Sequence, residues 1–178
     1  MKRAMTFLLV FTLTSCSSLP PKDESIQSFA SCSSIKTRGI SADGTFLQCL
    51  EGKGELALES IEGPALISAW ASWCSNCESQ RPYLIELYKK AKGKIQVVGV
   101  DVEEKSKSEG FGHALKKGMP FPQLYDPDGR TSKVFGPGVP ITQFKDANNQ
   151  IVFQQIGPFK SYEELQNLVA QYLGVEIG

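Results

Sequence analysis

Apolar and polar positions change period several times along the chain, and each change marks an element. Residues 65–71 are apolar on both faces and follow Gly63-Pro64, the pattern of a central strand covered by helices on each side. Over 76–92 the period becomes helical. Leu84, Leu87, Tyr88 and Ala91 recur at i, i+3, i+4 and i+7, Glu86, Lys89, Lys90 and Lys92 face outward, and Pro82 is expected to kink the helix. Residues 95–102 form a second buried strand. A helix over 107–117 is interrupted by Gly110 and Gly112, and a short strand over 122–125 stops at the turn Asp126-Pro127-Asp128-Gly129. Residues 141–145 and 150–156 flank Asp146-Ala147-Asn148-Asn149 and predict an antiparallel hairpin. In the last element Ser161 and Glu164 make a capping box, Leu165, Leu168, Val169 and Tyr172 form the apolar stripe, and Gly174 ends the helix. Before all of these, 45–50 and 55–58 are strand-like runs separated by Gly52 and Gly54, an N-terminal hairpin.

The order is hairpin, then β-α-β-α-β, then β-β-α. Strands alternating with helices imply a parallel sheet covered on both faces, and the closing hairpin adds antiparallel strands, so the fold class is α/β with a mixed central sheet. With 178 residues, 41% hydrophobic and 21% charged, there is enough chain for one sizeable core, and a disordered or fibrous chain is excluded. No internal repeat or second domain is present in the pattern.

Ahead of the hairpin the pattern differs. Lys2 and Arg3 precede an apolar run over 4–13, then the small residues Thr14, Ser15 and Cys16, which is the three-part layout of an export signal. Ten apolar residues are too few for a bilayer span, which needs roughly 20. Residues 17–44 are Ser-rich, contain Pro20, Pro21, Gly39 and Gly44, and lack a sustained apolar period. The chain therefore divides into a signal peptide over 1–15, a tether over 16–44 and a folded domain over 45–178. Lys and Arg together equal Asp and Glu at 19 each, so no strong field draws nucleic acid toward the protein, and none is expected as a partner.

The chemistry concentrates in Ser68-Ala69-Trp70-Ala71-Ser72-Trp73-Cys74-Ser75-Asn76-Cys77, a C-x-x-C where a buried strand hands over to a helix. Residues three apart on a helix stand about 5 to 6 Å apart at Cβ, within reach of a disulfide, so the pair can close and open with little backbone movement. Cys74 at the helix start meets unpaired N-H groups and the positive end of the dipole, which stabilise a thiolate nucleophile; Cys77, deeper along the helix, is the resolving thiol. A structural zinc site would need two further ligands, whereas the chain has no second C-x-x-C and one histidine, His113, read as a surface residue. A purely structural bridge closing so small a loop would stabilise little. No metal and no organic cofactor is expected beyond the redox-active Cys74-Cys77 pair.

The segment 70–77 resembles the active site of the thioredoxin superfamily, and more narrowly its membrane-tethered, extracytoplasmic TlpA/ResA-like branch. The likeness runs over about 45–173: an N-terminal hairpin, the C-x-x-C helix with Pro82, Val98-Gly99-Val100-Asp101 on the next strand, and Gly138-Val139-Pro140 fall in family order. It implies a thioredoxin-like three-layer sandwich, a cis Pro140 beside the disulfide, a Val139 backbone that pairs with bound substrate, and a Trp73 that covers the disulfide, with Trp70 in the core. Two positions depart from the family. Its buried Asp is Ser68 here, and the Glu found three residues after the second Cys in many relatives is Gln80. Neither usual proton acceptor for Cys77 is in place, and neighbouring Glu78 reads as a solvated helix residue.

The run Leu13-Thr14-Ser15-Cys16 also resembles the bacterial lipobox, which implies lipidation of Cys16, membrane contact through that anchor alone, and a location outside the cytoplasm where disulfides persist. With Cys16 so assigned and Cys74 paired to Cys77, Cys32 and Cys49 remain for a structural bridge; the alternative makes one of them a second redox thiol. By resemblance the function is disulfide exchange with exported proteins, reduction favoured over oxidation, serving cytochrome c maturation or disulfide repair and recycled by a membrane electron-donor protein. The rival readings are a disulfide-donating oxidase and a copper chaperone using the same two cysteines. A peroxidase is weaker, because Arg81 is the one Arg near the motif and no Thr stands beside Cys74.

Overall fold

The computed structural model describes residues 28–39 and 43–178; the expected signal peptide over 1–15 and lipidation at Cys16 lie outside the described residues. Seven strands form one sheet: β1 (Phe46–Cys49), β2 (Glu55–Ala57), β3 (Ala65–Trp70), β4 (Gln96–Val102), β5 (Gln123–Asp126), β6 (Ile141–Lys145) and β7 (Ile151–Ile156), in the spatial order β2-β1-β5-β4-β3-β6-β7. The helices are α1 (Ser75–Ala91), α2 (Lys107–Lys116), α3 (Ser132–Phe135) and α4 (Tyr162–Leu173). β3, β4 and β5 run parallel, and β6, β7, β1 and β2 add antiparallel pairs at the two sides. This is the mixed α/β sheet with an N-terminal hairpin that the pattern predicts. α3, a single turn after Asp126-Pro127-Asp128-Gly129, carries too few residues to register as a period.

Handedness explains where the helices lie. The steps β3 to β4 and β4 to β5 move across the sheet in the same direction, so right-handed crossovers put α1 and α2 on one face. That face presents Ser68, Trp70, Asp101 and Thr142. Gln80 of α1 donates to Ser68, His113 of α2 stacks on Trp70, and Tyr172 of α4 packs against Phe144. α3 takes the opposite face, where Gln143 donates to the Val134 carbonyl at 2.9 Å. The central strands β3 and β6 are buried at every position, and Leu66, Ile67, Val98, Leu124 and Phe144 form the middle of the core. α4 starts with half of the expected capping box: the Ser161 hydroxyl accepts the Glu164 N-H, while the Glu164 carboxylate accepts from Lys160.

The described chain departs from expectation before residue 45. Residues 28–39 fall in the stretch 16–44 read as a tether, yet they pack on the domain. Phe29 is buried edge-on to Phe111 with centroids 5.4 Å apart, the Ala30 N-H donates to the Pro120 carbonyl, a 3₁₀ turn at Cys32–Ser34 buries Cys32, and Thr37 bridges Ile61. Three apolar residues, Phe29, Cys32 and Ile35, are too sparse to show a period among serines. What holds them is long-range: a Cys32–Cys49 disulfide, and the Glu51 carboxylate accepting from the Cys32 N-H.

Candidate active site

Cys74 and Cys77 sit where β3 ends and α1 begins, joined by a disulfide of 2.09 Å with Cα atoms 5.3 Å apart. Cys74 is the N-cap of α1. Its backbone is extended, and its Sγ accepts the Cys77 N-H at 3.0 Å, the place a serine or aspartate oxygen takes in ordinary caps. When the pair is reduced, the same N-H and the positive end of a 17-residue helix face the Cys74 sulfur and favour its thiolate. Both residues are nearly out of solvent, at 6% and 7% exposed.

Beside Trp73, the residue before Cys74, the surface forms a shallow groove lined by Trp73, Val102, Glu103, Phe135, Gly138 and Val139. Trp73 is 58% exposed and its indole N-H donates to the Glu103 carbonyl, so it forms a wall of the groove instead of lying in the core. Trp70 is buried, and its indole N-H donates to Gln123 Oε1 at 2.9 Å. The Val139–Pro140 peptide is cis, and β6 begins at the next residue. Val139 lines the groove, so Trp73 and Val139, both singled out in the sequence, come together on one surface, with Cys74 next to Trp73 in the chain.

The loop that presents Cys74 is held by an acidic group absent from the sequence analysis. Glu104, buried, accepts both the backbone N-H and the hydroxyl of Ser72. Behind it Asp101 is fully buried on β4, with both oxygens lacking a protein hydrogen-bond partner. Burial chiefly, and the neighbouring Glu104 carboxylate in addition, raise the Asp101 carboxyl to about 8, so it is protonated at neutral pH. The signal was an Asp inside an otherwise apolar strand.

Beside Cys77 is a partly open cavity of about 20 Å³, enough for roughly one water. Its wall includes Cys77, Gln80, Ser68, Trp70, Glu78 and His113. Gln80 is fully buried; its amide nitrogen donates to Ser68 Oγ, which shares a hydrogen bond with Thr142, and its Oε1 has no protein partner. His113 is not the surface residue the sequence suggested. Its ring is mostly buried, stacked on Trp70 at 5.6 Å, with Nε2 at 3.1 Å from Glu78 Oε1. Nor is Glu78 simply solvated: Arg81, Lys117 and His113 converge on it, and the Arg81 guanidinium foremost holds its carboxyl down at about 2. The His113 imidazolium is disfavoured by burial, which outweighs the attraction of Glu78 and lowers its pKa.

The second pair, Cys32 and Cys49, ties the 3₁₀ turn to the end of β1, with Cα atoms 5.7 Å apart. Glu51 stands beside it and brings a third donor atom within 4.8 Å, but both sulfurs are engaged in the disulfide. Among the described residues no helix is long and apolar enough to cross a membrane.

Comparison with known proteins agrees with this geometry. The family model of the AhpC/TSA family matches residues 42–153, more than half of the chain. The thiol:disulfide interchange protein DsbE of Allochromatium vinosum is 30% identical over 115 residues, covering 62% of each chain. The thiol-disulfide oxidoreductase ResA of Bacillus thuringiensis is 30% identical over 112 residues, covering 61% of this chain and 63% of its own. The chain thus spans somewhat over three fifths of the length of these curated relatives. A solved structure from Chlorobium tepidum, assigned as a thiol:disulfide interchange protein DsbE, superposes with a TM-score of 0.64 at 25% identity, over 79% of this chain and 100% of that one.

Proposed function

The chain belongs to the AhpC/TSA family of thioredoxin-like proteins, and from that premise we propose that it is a protein thiol-disulfide oxidoreductase of the DsbE/ResA kind, using Cys74 and Cys77. The observation that carries the reading is the Cys74–Cys77 disulfide at the N-cap of α1, directly after Trp73, whose groove contains Val139 beside a cis proline. Cys74 attacks a disulfide of an exported protein, Cys77 resolves the mixed disulfide, and the pair is then returned to the dithiol by a membrane electron donor. Val139 offers backbone to a bound strand, and Pro140, lacking an N-H, leaves that edge open to one. No organic cofactor takes part.

Reduction is the working direction, in keeping with cytochrome c maturation or repair of mispaired disulfides. The site of action is outside the cytoplasm, with the chain held at the membrane by lipid on Cys16; the support is the export-signal layout over 1–15 and the lipobox-like Leu13-Thr14-Ser15-Cys16. The test is turnover of a model protein disulfide with a thiol reductant in excess. Cys74→Ser abolishes turnover, whereas Cys77→Ser, reduced and then mixed with the protein disulfide after the reductant is removed, accumulates a covalent mixed disulfide on Cys74 that survives denaturing electrophoresis without reductant. Equal trapping by both variants would overturn the assignment of roles.

A further inference from the structure

Disulfide exchange leaves one proton to be placed. After Cys74 has attacked, the Cys77 thiol must ionise before it can resolve the mixed disulfide, and burial opposes that ionisation. No carboxylate stands at position 68 or 80 to accept the proton. What faces Cys77 instead is the small cavity between α1, α2 and β3, whose wall it shares with Gln80 and His113. Gln80, fully buried in that wall, has an unpartnered Oε1 able to accept, and the volume suits one water.

The charged groups around His113 fix its chemistry. Glu78 and Arg81 reach it from α1 and Lys117 from the end of its own helix, while the β3 side offers only the uncharged Trp70 ring. Glu78 is ionised and can only accept, so His113 Nε2 carries the hydrogen and Nδ1 keeps its lone pair. Burial keeps the ring neutral in the resting state. Resting on the oxidoreductase reading above, we propose that His113 is the base that receives the Cys77 proton, through a water seated in the cavity, and that Glu78 is the residue that positions it.

The step balances as follows. The Cys77 S-H proton passes through the water to His113 Nδ1, giving an imidazolium. The Cys77 thiolate then forms a bond to the Cys74 sulfur, the bond between Cys74 and the substrate sulfur breaks, and its electron pair leaves with the substrate, which takes the proton back from His113. The dithiol is oxidised by two electrons and the substrate disulfide reduced to two thiols.

The experiment mixes the reduced protein with one equivalent of dithiodipyridine and follows thiopyridone release in two phases. The first reports attack by Cys74, the second resolution by Cys77. His113→Phe keeps a ring on Trp70 but removes the base. We expect its second phase to slow by about a hundredfold near pH 7, the lower end of the usual range for a lost general base, and to rise in proportion to hydroxide. The first phase stays within about twofold, and added imidazole restores part of the second. An unchanged second phase and pH profile in His113→Phe overturns the proposal. The native protein supplies an independent check, because His113 is the only histidine and its imidazole signals need no assignment to a residue in NMR spectra. The proposal requires the Nε2-H tautomer and a different titration midpoint in dithiol and disulfide forms; an Nδ1-H tautomer, or one midpoint for both forms, contradicts it. Both readouts need only the two cysteines and a small disulfide, so inertness toward protein disulfides would sink the oxidoreductase reading while leaving this one standing.

Discussion

Removing the second disulfide tests how the N-terminal segment is held. Cys32→Ala with Cys49→Ala opens a loop spanning 17 positions, and the chain-entropy relation gives about 3 kcal/mol for a loop of that size. Both residues are buried, at 6% and 3% exposed, and the packing around Cys49 is close enough that a Cβ at Gly54 would lie 3.3 Å from its sulfur. A methyl-sized void left there adds on the order of 1 kcal/mol. At about 2 to 4 °C per kcal/mol for a domain of this size, the melting temperature should fall by about 10 °C. The assay is thermal unfolding followed by circular dichroism, both proteins carrying an intact Cys74–Cys77 disulfide. Hydrogen exchange adds the location. The Ala30 and Arg38 amides, which donate to the Pro120 and Ser60 carbonyls, should lose protection while β3 and β4 keep theirs. A melting temperature within about 2 °C of the parent, with those amides still protected, would refute the reasoning and show that Phe29, Ile35 and Glu51 hold the segment unaided.

Three further outcomes follow from the site. Asp101 titrates at about 8 in the folded chain against an ordinary 3.8, so between those values the native state holds the extra proton and stability declines as pH rises. Asp101→Asn should remove that decline, gaining on the parent by at most about 1.4 kcal/mol per pH unit across the window; parallel denaturant midpoints for the two proteins from pH 5 to about 8 would contradict it. Gly99→Ala should cost about 2 to 4 kcal/mol in urea unfolding, because the new Cβ would lie 1.9 Å from Gln123 Oε1 and 2.9 Å from Trp70 Nε1, breaking that hydrogen bond; a loss under about 0.5 kcal/mol would refute it. Trp73→Ala, at an exposed position, should leave stability within about 0.5 kcal/mol but raise the KM for a protein disulfide, and an unchanged KM would remove Trp73 from the groove's function.

Much of the scaffold was legible in the pattern, for local reasons. The run 65–71 is apolar on both faces because β3 is covered on both, and Ser161 and Gly174 mark the ends of α4 through interactions that span only a few residues. Cys74 could be placed at a helix start because the period changes there. What escaped depends on elements far apart in sequence. His113 looks like a surface residue on a helix broken by glycines, until α2 lays it on Trp70 and against Glu78, 35 residues earlier. Gly110, read as a helix interruption, is small because the Asp101 carboxyl occupies the space a Cβ would fill, at 1.7 Å. Segment 28–39 has no period of its own and is ordered by a disulfide partner and by carbonyls of distant loops. Gln80 was visible as a missing acid, but not as a buried amide in the wall of a cavity with its oxygen unpartnered.

The central claim is that Cys74 and Cys77 form a redox pair that works as a reductant. The most direct test is its equilibrium reduction potential, titrated in defined thiol buffers and read from the fluorescence of Trp73, which adjoins Cys74. A value near or below about −250 mV is predicted, since such a dithiol gives electrons to partner disulfides and needs a donor to restore it. A value near about −120 mV would contradict the account, because a pair that oxidising hands its disulfide on instead.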